Sequence, residues 1–416
     1  MQDVNRDRAW FENNILERFL RYVQVHTTSD PHSTAAPSTE GQWNLARLLE
    51  QELQNMGVPH VELTEHCNIL ARLPANAETA CAPVMFLAHM DTAPDFNGNN
   101  VRPQVHEKYN GDIIRLGKNI ILDPDENPAL KNHIDDTVIT ADGSSLLGAD
   151  DKAGIAEIMT AVQYLLEHPD IRRGEVEIIF TPDEEIARGT LHFPGDRVHA
   201  RCGFTLDGEA EGSYNARCFN AYEAELTFTG LMIHPGRARG CFVNALSMAA
   251  QYVGMLPRSE SPESTDAGFG YYAAREIGGS MEQCRLAILV RDFENSGMER
   301  RLEYLRQLAR ITELSFPGGK VDIVLNQQYR NLMNFLEESP ELISILEDAI
   351  RATGIEPFQE SIRGGTDGAR LSEMGFPTPN IFTGGHNFHG PREWIGLRSM
   401  VRASKVMLNI IEQWAG

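Results

Sequence analysis

The sequence predicts an α/β protein, a mixed sheet flanked by helices, interrupted by an inserted α+β domain. Three observations carry this. Short apolar, β-prone runs alternate with stretches of helical periodicity over residues 1–215. The pattern turns to paired antiparallel strands with intervening helices over 216–332, and α/β grammar returns over 333–416, so the larger domain is discontinuous in sequence. Acidic and histidine residues stand at the ends of the apolar runs, where an α/β sheet presents its loops.

In chain order, residues 12–25 and 41–56 space apolar groups as amphipathic helices, the second stopping at Gly57. Strands are predicted at Asn68–Leu73, at Val84–Ala88 running into His89, and at Ser144–Leu147 before Asp150. A long helix follows from Ala153 to Glu167, then a strand at Val176–Thr181 leading to Glu184. Gly203–Leu206 reads as a strand ending at Asp207. In the inserted domain Ala221–Thr229 and Arg285–Asp292 read as antiparallel strands, with helices at Asn244–Met255 and Met298–Glu313. A helix near Pro340–Thr353 precedes the glycine-rich stretch Arg363–Gly368, and Pro379–Phe382 is a short strand before His389. Ser29–Ser38 and Ser259–Gly270 are loops, and no internal repeat is present.

A chain of 416 residues is too long for one core and implies two domains. A formal net charge of −22 without a basic stripe argues against nucleic acid or anionic membrane as partner. The six cysteines form no C-x-x-C pair, which points to reduced thiols in a cytosol. The polar N-terminal residues lack the apolar core of a secretion signal, and no stretch has the length of a membrane span, so a cytoplasmic protein is expected.

The chemistry-bearing residues share one arrangement. The strand before His89 delivers an imidazole to the carboxyl edge of the sheet, and Asp91 is placed to accept the other ring N–H and fix the tautomer. A loop histidine with a capping aspartate is the competing reading. Asp150 follows a small-residue turn at a helix start, where its two oxygens can bridge two cations or cap the helix. Glu184 and Glu185 are adjacent acids that repel unless a cation or proton holds one of them, so one suits a ligand and the other a free base. Asp183 adds a third acid and leaves a solvated acidic turn as the alternative. Asp207 and His389 again stand after strands, and this histidine and carboxylate mixture suits zinc better than magnesium or calcium.

Beyond these, His234-Pro-Gly236, Arg291-Asp-Phe293, Arg363-Gly-Gly-Thr-Asp-Gly368 and Asn380-Ile-Phe-Thr-Gly-Gly385, with His89-Met-Asp-Thr, Leu147–Gly154 and Thr181–Glu185, resemble the zinc-dependent M20 peptidases in collinear order from about Leu16 to Ile411. The resemblance implies a catalytic domain of the zinc-peptidase type and an inserted lid and dimerisation domain. It implies two zinc ions per subunit, one held by His89, Asp150 and Asp207 and the other by Asp150, Glu185 and His389, with Glu184 as general base. His386 stands beside His389 as the alternative ligand. His234 matches a histidine that reaches across a homodimer to help hold the oxyanion. Arg291, Asn244, Gly365 and Thr366 match positions that grip a substrate carboxylate, with Arg363 adding charge. Residues 230–233 are more apolar than the family pattern, and 261–272 also depart from it.

The activity so implied is aminopeptidase action on a small peptide, releasing the N-terminal residue of a tripeptide. A related dipeptidase or N-acyl-amino-acid amidohydrolase is the alternative. A metal-dependent binding protein without turnover is a further one, and the free acid at Glu184 argues against it.

Overall fold

The computed structural model describes residues 7–76, 81–117 and 119–416. The chain forms two compact units, one of residues 1–216, 335–360 and 366–416, the other of 217–334 and 361–365.

The larger unit is built on an eight-stranded mixed sheet. Its centre is parallel: Val84–His89 lies between Val176–Thr181 and Gly203–Gly208, and Asn380–Phe382 runs parallel to the latter. Ile69–Leu73 and His60–Leu63 add antiparallel strands on one side; on the other come Ser213–Cys218, antiparallel to Asn380–Phe382, and then Phe358–Ile362 at the edge. Val84–His89 and Val176–Thr181 are buried along their whole length, as strands covered on both faces must be, which is why they read as apolar runs without alternation. One face carries the helix Ala149–Glu167, packed in turn against Arg8–Val23 and Leu397–Trp414. Against the other, Leu70, Met85, Leu87 and Ile179 pack with Phe193, Ala200 and Leu371. Because the four central strands run the same way, their carboxyl ends open on one edge, and His89, Thr181 and Asp207 all lie there.

Ser144–Leu147 is not a strand. Leu146 and Leu147 are buried, which mimics one, but the backbone donors do not join a ladder. Leu146 N–H bonds the carbonyl of Asn97 at 2.9 Å, and Leu147 N–H bonds the Glu393 carboxylate at 2.7 Å. The nearby strand is Val138–Thr140, in a separate four-stranded sheet with Trp394–Gly396.

The smaller unit is a four-stranded antiparallel sheet ordered Tyr271–Gly279, Gln283–Asp292, Asn220–Thr229, Lys320–Tyr329, with the helices Ala245–Gly254 and Asn295–Ser315 on it. Two of these strands, Tyr271–Gly279 and Lys320–Tyr329, were not expected from the sequence. They are mostly exposed edge strands, and Lys320–Tyr329 mixes charged and amide residues into its alternation.

Within the larger unit Glu157 is fully buried in the middle of its helix, and neither carboxyl oxygen has a hydrogen-bond partner. Burial drives its pKa well above the ordinary value, so the group is held protonated. With a folded pKa above the unfolded one, its contribution is complete below about pH 4 and is lost as pH rises. Replacing Glu157 with Met is therefore expected to stabilise the protein by about 1–3 kcal/mol at pH 8 and by less at pH 5, read from urea midpoints at the two pH values.

Candidate metal centre

The carboxylate of Asp150 occupies the middle of the site. Its Oδ1 lies 2.9 Å from His89 Nε2 and its Oδ2 lies 3.2 Å from His389 Nε2. His89 Nε2 is also 3.5 Å from Asp207 Oδ1, and His389 Nε2 is 3.1 Å from Glu185 Oε2. Two groups of donor atoms result, His89 with Asp150 and Asp207, and Asp150 with Glu185 and His389, the atoms of each lying within 4.8 Å of one another. A carboxylate whose oxygens face different imidazoles has the geometry of a bridge between two cations.

Local backbone explains each placement. His89 ends a central strand and sits opposite Thr181 in the parallel register. Asp207 lies in the next strand, its N–H held at 3.1 Å by the amide oxygen of Asn380. Asp150 has φ −83° and ψ 104°, non-helical values at the start of a helix, so it projects instead of capping. Capping falls to Asp151: Oδ1 accepts from Gly154 N–H at 3.2 Å, and Oδ2 from His89 N–H at 3.0 Å. His389 has φ 62°, in the left-handed region, at the end of a glycine-rich loop.

Asp91 does more than orient an imidazole. His89 Nδ1 is 3.1 Å from the Asp91 carbonyl and 3.4 Å from its carboxylate. The same carboxylate accepts from the backbone N–H of Glu184 at 3.0 Å and of Glu185 at 3.2 Å. One buried side chain thus links the strand end bearing His89 to the turn bearing both glutamates. Asp183, the third acid of that turn, points elsewhere: it is buried, takes Ser38 N–H and Gln42 Nε2 at 2.7 Å each, and has φ 57°. The acidic turn is not a solvated one.

The electrostatics call for protons or cations among these acids. Burial pushes Glu185 up to about 8 and Asp207 up to about 6, and drives Glu184 well above the ordinary carboxylate range, with Asp367 the strongest charged neighbour acting on it. Burial would also raise Asp150, but hydrogen bonds from His389 and His89 hold it below its usual value. Glu185 Oε1 is buried without a hydrogen-bond partner. Two imidazoles with three carboxylates form a nitrogen and oxygen donor set that fits zinc, and a buried unpartnered carboxylate oxygen fits a metal contact.

His386 is not part of either group. Its ring stacks on Trp394 at 4.3 Å, and burial lowers its pKa to about 4. A third cluster, Glu175, Glu177 and His199, is tied up in the Arg72 ion pair and in bonds to backbone N–H groups.

In the smaller unit the expected substrate residues each have a structural partner. Arg291 donates to the carbonyls of Tyr222 and Val290 at 3.0 Å and to Gln328 at 2.9 Å. It makes no pair with Asp292, which instead binds Arg301 at 2.7 Å. Arg363 binds Ala267 O, Phe269 O and Thr265 O, and lies over the rings of Phe219 and Tyr271, so its charge braces the 265–269 segment. Asn244 caps its helix through Leu246 N–H at 2.9 Å, and a Cβ at Gly365 would meet the Tyr329 ring at 2.9 Å. Thr366, in the larger unit, caps the helix Asp367–Glu373. His234 is exposed, and its Nδ1 accepts Gly236 N–H at 3.1 Å, which leaves the ring proton on Nε2.

Glu393 escaped the sequence reading. It is 1% exposed, and its two oxygens accept from the N–H groups of Leu147, Gly148, Ala149 and Asp150 at 2.6–3.2 Å. The only signal in the sequence is an acid placed four residues after His389, directly before the apolar Trp394-Ile395.

Known proteins resemble this chain over most of its length. Residues 136–413 match the profile of Peptidase family M20/M25/M40. Peptidase T of Geobacillus thermodenitrificans is 44% identical over 403 residues, 96% of this chain and 98% of that protein. Peptidase T of Clostridium perfringens (strain 13 / Type A) is 43% identical over 399 residues, with the same shares covered. The crystal structure of aminopeptidase PepT from Bacillus cereus shares the fold, with a TM-score of 0.76 at 21% identity, covering 97% of this chain and 99% of that one. A tripeptidase from Staphylococcus aureus shares it with a TM-score of 0.75 at 19% identity, covering 97% and 98%.

Replacing Asp91 with Asn leaves one acceptor oxygen where two N–H groups and an imidazole now meet a carboxylate. It is expected to weaken metal binding about 10–100-fold, measured by chelator competition.

Proposed function

Because this chain belongs to Peptidase family M20/M25/M40, we propose that it is a two-zinc aminopeptidase releasing the N-terminal residue of tripeptides. The observation that carries the proposal is the pair of ligand groups sharing Asp150, with an unshared carboxylate, Glu184, on the same turn as Glu185. The name Peptidase T on relatives 42–44% identical over nearly the whole chain supports the activity.

In this reading His89, Asp150 and Asp207 hold one zinc, and Asp150, Glu185 and His389 the other. Bound zinc supplies Lewis-acid polarisation of the peptide carbonyl and lowers the pKa of the attacking water. Glu184 accepts the proton of that water and returns it to the leaving amine, a task that suits a carboxyl raised by burial. Asp91 fixes the turn that carries Glu184 and Glu185 by holding both backbone N–H groups. His234, with its Nε2 proton free, donates to the oxyanion of a partner subunit's site. Asn244, Arg291, Arg363, Gly365 and Thr366 are the residues that the family resemblance assigns to the substrate carboxylate, and recognition of both ends of the peptide sets its length.

The protein acts as a homodimer through the inserted unit, in the cytosol. Leu231, Met232 and Ile233, beside His234, are 48%, 46% and 37% exposed, which supports an interface there. Among the described residues no helix is long and apolar enough to cross a membrane.

Two outcomes are expected. Glu184→Gln abolishes turnover while zinc content, measured by atomic emission, stays near two per chain; loss of one zinc would make Glu184 a ligand. In a matched set of Ala-Ala, Ala-Ala-Ala, Ala-Ala-Ala-Ala and N-acetyl-Ala-Ala-Ala, zinc-loaded protein cleaves the free tripeptide. Preferred cleavage of the dipeptide or of the blocked peptide would move the activity to a dipeptidase or an N-acyl amidohydrolase.

A further inference from the structure

Two segments far apart in sequence must meet for the centre to exist: the turn 147–150, which projects Asp150, and the segment 389–393, which carries His389. The turn has no regular structure to hold it. Gly148 has φ 80°, Asp150 is non-helical, and the one side-chain cap within the helix start, Asp151, reaches Gly154 N–H and none of the N–H groups of 147 to 150. Four successive N–H groups there, those of residues 147 to 150, would be orphaned at a helix start. All four are taken by Glu393, Oε2 serving Leu147 and Gly148 at 2.7 and 2.9 Å, Oε1 serving Ala149 and Asp150 at 2.6 and 3.2 Å.

Glu393 is itself firmly placed. The next residues form the strand Trp394–Gly396, paired with Val138–Thr140 in the register Trp394 opposite Thr140. Trp394 is buried, and Glu393 N–H bonds the Gly390 carbonyl at 3.3 Å. No arginine, lysine or histidine makes a direct ion pair with Glu393 among the described residues; its hydrogen-bond partners are the four N–H groups of the helix start, and the buried Lys152 ammonium is the cation that feels its charge.

We propose that Glu393 is a positioning residue for the bridging carboxylate: it clamps the turn 147–150 so that one oxygen of Asp150 faces His89 and the other faces His389. The inference rests on the two-zinc reading. A carboxylate is required because the turn presents only donors. Glutamine offers one acceptor oxygen, and its NH₂ would face two N–H groups; aspartate keeps both oxygens but reaches less far.

Wild type, E393Q and E393D are each titrated with zinc against a chelating dye and melted with excess chelator and with zinc. E393Q is expected to bind both zinc ions about tenfold or more weakly, to lose most of the zinc-induced rise in Tm, and to be partly rescued in E393D. A general structural role would lower the melting temperature of metal-free and zinc-loaded protein alike while leaving zinc affinity as in wild type, and would overturn the proposal. Should E393Q fail to fold, Gly148→Ala strains the same turn at its left-handed residue, and unchanged zinc affinity in that variant overturns the proposal equally. Wild type that takes up fewer than two zinc ions refutes the two-zinc reading itself, an outcome separate from failure of the clamp.

Discussion

The carboxylate of Asp150, with one imidazole on each oxygen, is the constraint on which the rest of the site depends. Its two contacts, 2.9 Å to His89 and 3.2 Å to His389, join a ligand from a central strand to one from the C-terminal segment. Neither would form if Asp150 followed the helix that it opens. The turn before it is therefore irregular, and the helix start is capped from outside by Glu393 and from within by Asp151. Asp151 also reaches back to the backbone N–H of His89, so the strand end and the helix start are bonded to each other independently of any cation.

A second layer solves the crowding of acids. Four carboxyls, those of Asp150, Glu184, Glu185 and Asp207, lie close together in a buried place, and burial lifts three of them. Such an arrangement is unfavourable unless protons or cations share it. The surrounding acids bind backbone donors: Asp91 holds the N–H groups of 184 and 185, and Glu393 those of 147 to 150, with the buried Lys152 ammonium the cation that both feel. The carboxylates at the centre are thus left open to metal, while the acids one layer out are satisfied by peptide groups.

Much of this was legible in the sequence. The central strands could be read because strands buried on both faces leave unbroken apolar runs, and His89, Asp150, Glu184, Glu185, Asp207 and His389 because each follows such a run or its turn. What escaped reading depends on long-range partners. Leu146 and Leu147 look like a strand because burial alone makes the apolar pattern, whereas their donors go to Asn97 and to Glu393, which is 246 positions from Leu147. For Arg363 the sequence does not separate added charge from a structural role, and its bonds to carbonyls of 265–269 involve a segment with no periodicity to announce it. The edge strands 271–279 and 320–329 escaped because exposure erases the alternation that marks a half-buried strand.

The most direct test of the account is anomalous diffraction at the zinc edge from crystals of the zinc-loaded protein. Two peaks are expected, roughly 3.5–4 Å apart, each in coordination distance of a different oxygen of Asp150. One peak, or two with Asp150 touching only one of them, would contradict the bridge on which both the proposed chemistry and the role of Glu393 rest.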